Sequence, residues 1–535
     1  MKKLPTGIQN FRKIREGDYT YIDKTQYIYD LIENENHCFL SRPRRFGKSL
    51  LLNTIADVFS GDKELFKGLF IHDSGYDFEE HPVLRLDMSN IANMTPEELK
   101  SSLGAALRER IVEEGLDIDS TIPSDIYKWL IKALYKKYNK TVVVLVDEYD
   151  KPILDHIVDA ELAEANRNVL RGFYGILKSM DQYIRFTFIT GVTKFTKTSV
   201  FSGINNLRDI TLTKKYANIC GISAEELDKH FKQHISSLQS LDEFALYDSV
   251  RESILEWYDG YSWDGMTRVI NPFALLSFFS EKRFANFWYA SGTPAFLIKL
   301  IKSKPSSFLL LNNLEISERV LDTFDINRIS IAPLLFQTGY LTIAEKRFRG
   351  VSESFLLKIP NNEVKEAFYL NIIAEFTEND DAFAESAYWQ IKESLRTGNL
   401  VNILVTLKSL FASIPYELHV NREAYYHSIF LALMNLLGFD VSAEISVSGG
   451  RIDATMELED RFYIMEFKYE GCASDATADE KRKLFDKALD DGMKQIKNRG
   501  YYKKYSASEK IVHLAAFAFL GRDDIDMRTE ILEHE

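Results

Sequence analysis

Cysteine is nearly absent: Cys38, Cys220 and Cys472 are the three in 535 residues. They are too few and too scattered for a disulfide framework or a cysteine-based zinc site. Glycine (26) and proline (12) are sparse and no low-complexity tract or repeat interrupts the chain, so long flexible linkers are not expected. No apolar run approaches the roughly 18 residues of a spanning helix, and none follows Lys2 and Lys3, so neither a membrane span nor a secretory leader is expected. Positive charge is in deficit: 66 Lys and Arg against 79 Asp and Glu leave −13 at pH 7. A surface of that sign does not coat nucleic acid or anionic membrane indiscriminately, although a local basic groove is compatible with it. What is present, 45% apolar and 13% aromatic residues, suits a folded chain in a reducing, cytoplasmic setting. At about 150 residues per domain, its length predicts three or four domains.

Changes of pattern set the boundaries. Over residues 1–210, short apolar runs (His37 to Leu40, Val83 to Leu86, Thr141 to Val146, Ile184 to Thr190) alternate with helical periodicity, the α/β signature of a largely parallel sheet. Residues 211–412 read as mostly helical, with Ser223 and Glu226 forming a capping box. A small winged or hairpin element is expected near Leu334 to Ile343 and Phe355 to Ile359. Residues 413–535 read as a second α/β unit.

The first constellation follows the apolar Cys38-Phe-Leu40. Ser41-Arg-Pro-Arg-Arg-Phe-Gly-Lys-Ser49 leads into the helical run Leu50 to Phe59, the strand, loop and helix context of a P-loop. Its chemistry needs a helix amino terminus facing phosphate, a Gly for close backbone approach, a Lys for the β and γ oxygens and a hydroxyl for Mg²⁺. Gly47, Lys48 and Ser49 supply these, with Arg44 and Phe46 completing the expected nucleotide-binding set. One departure is Arg42 where the usual motif has its first Gly, with Pro43 behind it, which implies a stiffer loop. The strand Thr141 to Val146 then runs into Asp147-Glu148-Tyr149-Asp150, placing acids at the carboxyl end of a parallel strand, where such sheets bind ligands. Asp147 is expected in the Mg²⁺ shell and Glu148 to orient or deprotonate the attacking water. Thr190 and Thr193, at the end of another strand, are γ-phosphate sensor candidates or simply satisfied loop threonines.

These motifs, with Leu4-Pro5-Thr-Gly7, Tyr21-Ile-Asp23-Lys24-Thr25, Trp257-Tyr-Asp-Gly-Tyr261, Asn271-Pro272 and Gly292-Thr-Pro294, resemble the AAA-ATPase-like proteins of bacteria and archaea. In that family the Arg-Pro-Arg-Arg form of the loop is usual. The resemblance implies ATP binding more firmly than any biological task.

The second constellation is Gly449-Gly-Arg-Ile-Asp453, then Arg461-Phe-Tyr-Ile-Met-Glu466-Phe-Lys468. Alternation along a strand puts Phe462, Ile464, Glu466 and Lys468 on one face. A carboxylate and an ammonium there cost desolvation unless they serve a ligand or each other. A turn near Glu459 and Asp460 brings Asp453 alongside. Two acids then hold a divalent metal that activates water, and the lysine stabilises developing charge. Asp453, Glu466 and Lys468 resemble the motif of PD-(D/E)XK nucleases, with Ile452 in place of the usual proline, and in the recognised family such a domain follows the ATPase. The resemblance adds Glu423, on the preceding helix, as a helper acid with an equally good reading as a first-turn acid. It adds Gln495 as a supporting glutamine that on pattern alone is a surface residue. Lys494, Lys497, Arg499, Lys503 and Lys504, interleaved with Tyr501, Tyr502 and Tyr505, either grip nucleic acid or form a solvated helix end.

The expected protein is therefore a P-loop ATPase sheet, a helical middle and a restriction-endonuclease-like α/β domain. Its expected cofactors are ATP and Mg²⁺, with Mn²⁺ an alternative at the second site. Its expected partner is nucleic acid, DNA ahead of RNA, with no membrane role and oligomerisation left open. The rivals are a nucleotide-dependent switch that binds nucleic acid or protein without cutting, and an ATPase whose second fold serves assembly.

Overall fold

The computed structural model describes the chain except residues 195–199, 202–203, 205, 293–313, 322–329, 350–351, 378–380, 413–421, 445–450, 473–475, 500–509, 521–523 and 533–535, and except the side chains of 290–292, 349, 352, 376, 381, 422–428, 431, 440–444, 451–453 and 499. The chain forms two compact units, residues 1–296 with 312–364, and residues 297–311 with 365–535.

In the first unit, β1 (His37–Ser41), β2 (Val83–Asp87), β3 (Val142–Asp147), β4 (Ile184–Gly191) and β5 (Arg208–Asp209) make a parallel sheet in the order β2-β3-β4-β1-β5. Four valines and a leucine fill β3, which is buried along its whole length, as a central strand covered on both faces requires. Because β4 lies between β1 and β3, its end at Thr190 separates the loop after β1 from the acids after β3. The apolar stretch before Gly339 is a helix, Ile331–Thr338, rather than a strand. The hairpin is made by β7 (Thr342–Arg349) and β8 (Ser352–Lys358), joined on the far side of β8 by β6 (Leu314–Ser317). The capping box at Ser223 and Glu226 is present with both of its hydrogen bonds.

The second unit holds β9 (Asp440–Glu444), β10 (Arg451–Glu457), β11 (Arg461–Glu470), β12 (Ile511–Leu520) and β13 (Asp524–Leu532) in the order β13-β12-β11-β10-β9. Only β11 and β12 run parallel, and the helix Ala478–Arg499 makes the crossover between them. That helix covers one face of β11 and β12 through Ala488, Leu489, Met493 and Ile496, packed on Phe462, Ile464, Val512 and Leu514. Opposite, Phe467 stacks on Phe517 at 4.8 Å. No helix among the described residues is long and apolar enough to cross a membrane.

Candidate functional site

The helix Lys48–Val58 begins at Gly47, whose φ of 91° is open to glycine at little cost, and no side chain caps it. Its first N–H groups are therefore left for a ligand, and the helix dipole favours an anion there. Lys48 is 5% exposed, and its ammonium donates to the carbonyls of Arg42 and Pro43, both at 2.9 Å. Burial pulls its pKa down, while Asp147, Glu148 and Asp150 oppose that by attraction. A cleft of about 420 Å³ opens in front, lined among others by Arg44, Arg45, Lys48, Ser49, Glu148 and Lys151. A smaller, mostly apolar cavity between Tyr21, Phe46, Leu51, Cys220, Ile222 and Phe231 shares Gly47, Leu50 and Pro272 with it.

Arg42 does not approach the cleft. It is fully buried and donates to the carbonyls of Ser41, Thr211 and Tyr216, with its guanidinium 4.0 Å from the Trp263 ring. Burial lowers its pKa to about 10. The residue that replaces the first glycine thus ties the loop to sequence some 170 residues away. Phe46 is 1% exposed and packs edge-on against Tyr261 and Trp263, beside the apolar cavity. Arg45 lies over Phe273 at 4.8 Å.

Asp147 is 2% exposed and accepts from the Thr190 hydroxyl at 2.7 Å and the Glu148 amide at 3.1 Å. Glu148 adopts φ 51°, a strained conformation for a non-glycine residue that aims its side chain to the cleft wall. Burial is the main cause raising its pKa and Asp147 adds to it, while Lys48 opposes both, a bias that suits a proton acceptor. Thr193 is held by Asp150, whose carboxylate takes its amide at 2.6 Å and hydroxyl at 2.7 Å. Both threonines are satisfied by acids. The oxygen donors at hand, the Ser49 hydroxyl and the Asp147 carboxylate, are of the hard type that suits Mg²⁺.

Sequence reasoning missed the residues that brace the loop from behind. The Trp288 indole donates to the Arg44 carbonyl at 3.0 Å, and the Trp288 amide donates to Glu363 at 2.6 Å. Glu363 is fully buried, and that burial pushes its carboxyl up to about 8. Nothing local marks either residue, since each meets its partner across 75 residues or more. The folded state holds this proton more tightly than the unfolded chain, where a glutamate titrates near ~4.3. Stability is therefore complete below that pH and falls as pH rises toward 8, by a few kcal/mol at most. Glu363→Gln keeps an acceptor for Trp288 and is expected to flatten the decline. Melting temperatures of both proteins from pH 5 to 9 check this, and parallel curves would refute it.

In the second unit, antiparallel register sets Asp453 directly opposite Glu466 and Arg451 opposite Lys468. The Asp453 and Glu423 side chains lie outside the described residues, with their backbones on β10 and on the helix Arg422–Leu437. Glu466 is 2% exposed and pairs with the Lys468 ammonium at 3.0 Å. That ammonium also donates to the Gln495 carbonyl at 2.6 Å, and the buried Gln495 amide nitrogen has no hydrogen-bond partner among the described residues. Gly492, one turn before Gln495, brings the helix down: a Cβ there would sit 2.9 Å from Ala516 and 3.7 Å from Glu466. A missing side chain is therefore what lets Gln495 reach Lys468. An aspartate and a glutamate at opposed register positions suit a divalent cation by donor type, although no group of three or more His, Cys, Asp or Glu that could hold one is assembled among the described residues. Lys497 is paired with Glu530 at 2.6 Å, and Lys503, Lys504 and the tyrosines 501, 502 and 505 lie outside the described residues.

Residues 5–201 match the family model described as a predicted AAA-ATPase, and residues 421–528 match that of the PD-(D/E)XK nuclease superfamily. A protein of Azotobacter chroococcum mcd 1, described as an uncharacterized protein in the vnfD 5' region, is 36% identical over 530 residues, 97% of this chain and 96% of its own length.

Proposed function

The chain belongs to the AAA-ATPase-like family and carries a PD-(D/E)XK nuclease superfamily domain, and from that premise we propose that it hydrolyses ATP in its first unit and uses the nucleotide to control metal-dependent cleavage of nucleic acid in its second. The observation that supports this most directly is the empty-handed helix start at Gly47, with a buried lysine facing Asp147 and Glu148. Phosphates lie on the amides of residues 47–49 and against Lys48, with Arg44 adding charge at the rim. The apolar cavity beside Phe46 takes the base. Glu148 accepts the proton of the attacking water, and Thr190 holds Asp147 in orientation. Ser49 and Asp147 would hold Mg²⁺, which would supply charge neutralisation to the phosphates.

In the second unit Asp453 and Glu466 would hold a divalent ion, which would supply Lewis acidity for hydrolysis of the phosphodiester. Lys468, positioned by Gln495, stabilises the charge that develops on the phosphodiester. The three sections 1–210, 211–412 and 413–535 then serve as motor, lever and cutter. Cleavage of labelled DNA and RNA by the purified chain, with Mg²⁺ or Mn²⁺ and with or without ATP, tests the coupling. Equal rates in both nucleotide conditions would overturn it. One observation favours the non-cutting switch instead: Glu466 and Lys468 already neutralise each other. That reading requires a wild-type chain inert on every form of nucleic acid.

A further inference from the structure

The helix Pro123–Tyr138 and the residues after it carry a positive stretch of the first unit away from the P-loop. From Lys128 to Lys140 there are five lysines and no acid, in a protein whose net charge is −13. Two of the five are spent: Lys137 pairs with Glu114, and Lys140 pairs with Glu79. Lys128, Lys132 and Lys136 have no ion pair among the described residues and recur every four residues, so they rise along one face about 6 Å apart. Between them stands Trp129, 50% exposed. Lys132 lies 5.1 Å from its ring and 5.7 Å from the ring of Tyr183, and Tyr183 meets Tyr135 edge-on at 5.1 Å.

A buried function for these aromatics is excluded for Trp129 by its exposure. A solvated charged face explains the lysines alone, whereas a half-exposed indole with two of their ammoniums 5.1 and 6.0 Å from its ring makes a flat, positively rimmed surface. Flat rings alternating with unpaired ammoniums are what a single strand of nucleic acid requires. Every base offers a face to stack, and each phosphate offers a charge to neutralise. An anionic membrane would also attract the lysines, but it would favour several apolar side chains aligned beside them, and the same helix buries Ile126, Leu130, Ile131 and Leu134 inward.

We propose that this face is a binding surface for single-stranded nucleic acid, with Trp129 as the stacking platform and Lys128, Lys132 and Lys136 as the phosphate contacts. The occupant rests on the reading that the chain acts on nucleic acid, but the surface is separate from both chemical sites. It would hold a strand to the first unit whether or not the second unit cuts.

The test is binding of a fluorescent oligothymidine to the full chain in EDTA, where no cleavage occurs, across a salt series. Trp129→Ala is expected to weaken binding roughly 5- to 150-fold. Lys128→Ala/Lys132→Ala/Lys136→Ala is expected to reduce the slope of log affinity against log salt by about 2. ATP hydrolysis and melting temperature should be unchanged in both, since all four side chains lie on the surface. Photocrosslinking should recover the peptide that contains Trp129. A Lys468→Ala chain that still binds and no longer cuts would leave the surface standing on its own. Wild-type affinity in both patch variants would overturn the proposal, and so would binding lost in Lys468→Ala alone. Capture by phosphatidylserine vesicles without oligonucleotide binding would overturn it as well.

Discussion

Lys48→Ala is expected to lower ATP hydrolysis by roughly 10²- to 10³-fold, as removal of one preorganised charge from a transition state does. The ammonium rests on the Arg42 and Pro43 carbonyls, 2.9 Å from each. Those neutral acceptors hold it in place without satisfying its charge, so phosphate oxygens compete well for it. Loss of the amine removes the cation nearest the helix start, leaving Arg44, Arg45 and Lys151 around the cleft, Glu148 in its wall and the charges of Asp147 and Asp150 behind no longer offset by it. Binding should therefore fall along with turnover, and Glu148 should lose the attraction that opposes the rise of its pKa. Lys48→Arg is expected to do no better, because a planar fork cannot sit between two carbonyls shaped around a point donor. Phosphate release and nucleotide titration with a fluorescent analogue separate the turnover loss from the binding loss. Turnover near the wild-type rate in Lys48→Ala would remove the P-loop from the mechanism.

Much of this first site was readable because its chemistry is local. A run of valines ending in two acids can hardly be anything but a buried strand reaching a ligand edge, and Gly-Lys-Ser before an apolar helix places itself. The bracing was not readable. From the sequence Arg42 reads as a departure that stiffens the loop, and its structural role lies in carbonyls at Thr211 and Tyr216 and a ring at Trp263, none of them near it in sequence. Trp288 and Glu363 are likewise ordinary residues until the fold sets them under the loop. In the second unit the alternation of β11 was enough to put Glu466 and Lys468 on one face. The strand order was not, because β13 has a mixed polar and apolar pattern that periodicity alone does not assign. Gln495 shows the same limit from the other side: its pattern is that of a surface glutamine, and only the absence of a side chain at Gly492 lets its helix sit close enough to make it part of the site.

Lys468→Met is expected to abolish cleavage, by at least about 10²-fold, and to destabilise the second unit as well. Glu466 is almost wholly buried, and Lys468 neutralises it at 3.0 Å. Removing the cation takes from a buried carboxylate the ammonium that neutralises it, a change of the kind that costs about 3 kcal/mol. A loss of activity in that single variant would be ambiguous between chemistry and folding. The double variant Glu466→Gln/Lys468→Met resolves it, because a neutral amide beside a thioether restores balance and the melting temperature should recover toward wild type. Cleavage should not recover, since the proposed site would lack both a carboxylate for the metal and the cation for the phosphate. Gln495→Ala should fall between the two: Lys468 keeps its charge but loses the 2.6 Å acceptor that fixes its direction. The expected sign of a positioning role is a turnover loss of about tenfold with affinity for substrate kept, against a Gln495→Glu variant that retains an acceptor. Cleavage by the double variant at the wild-type rate would show that hydrolysis takes place elsewhere.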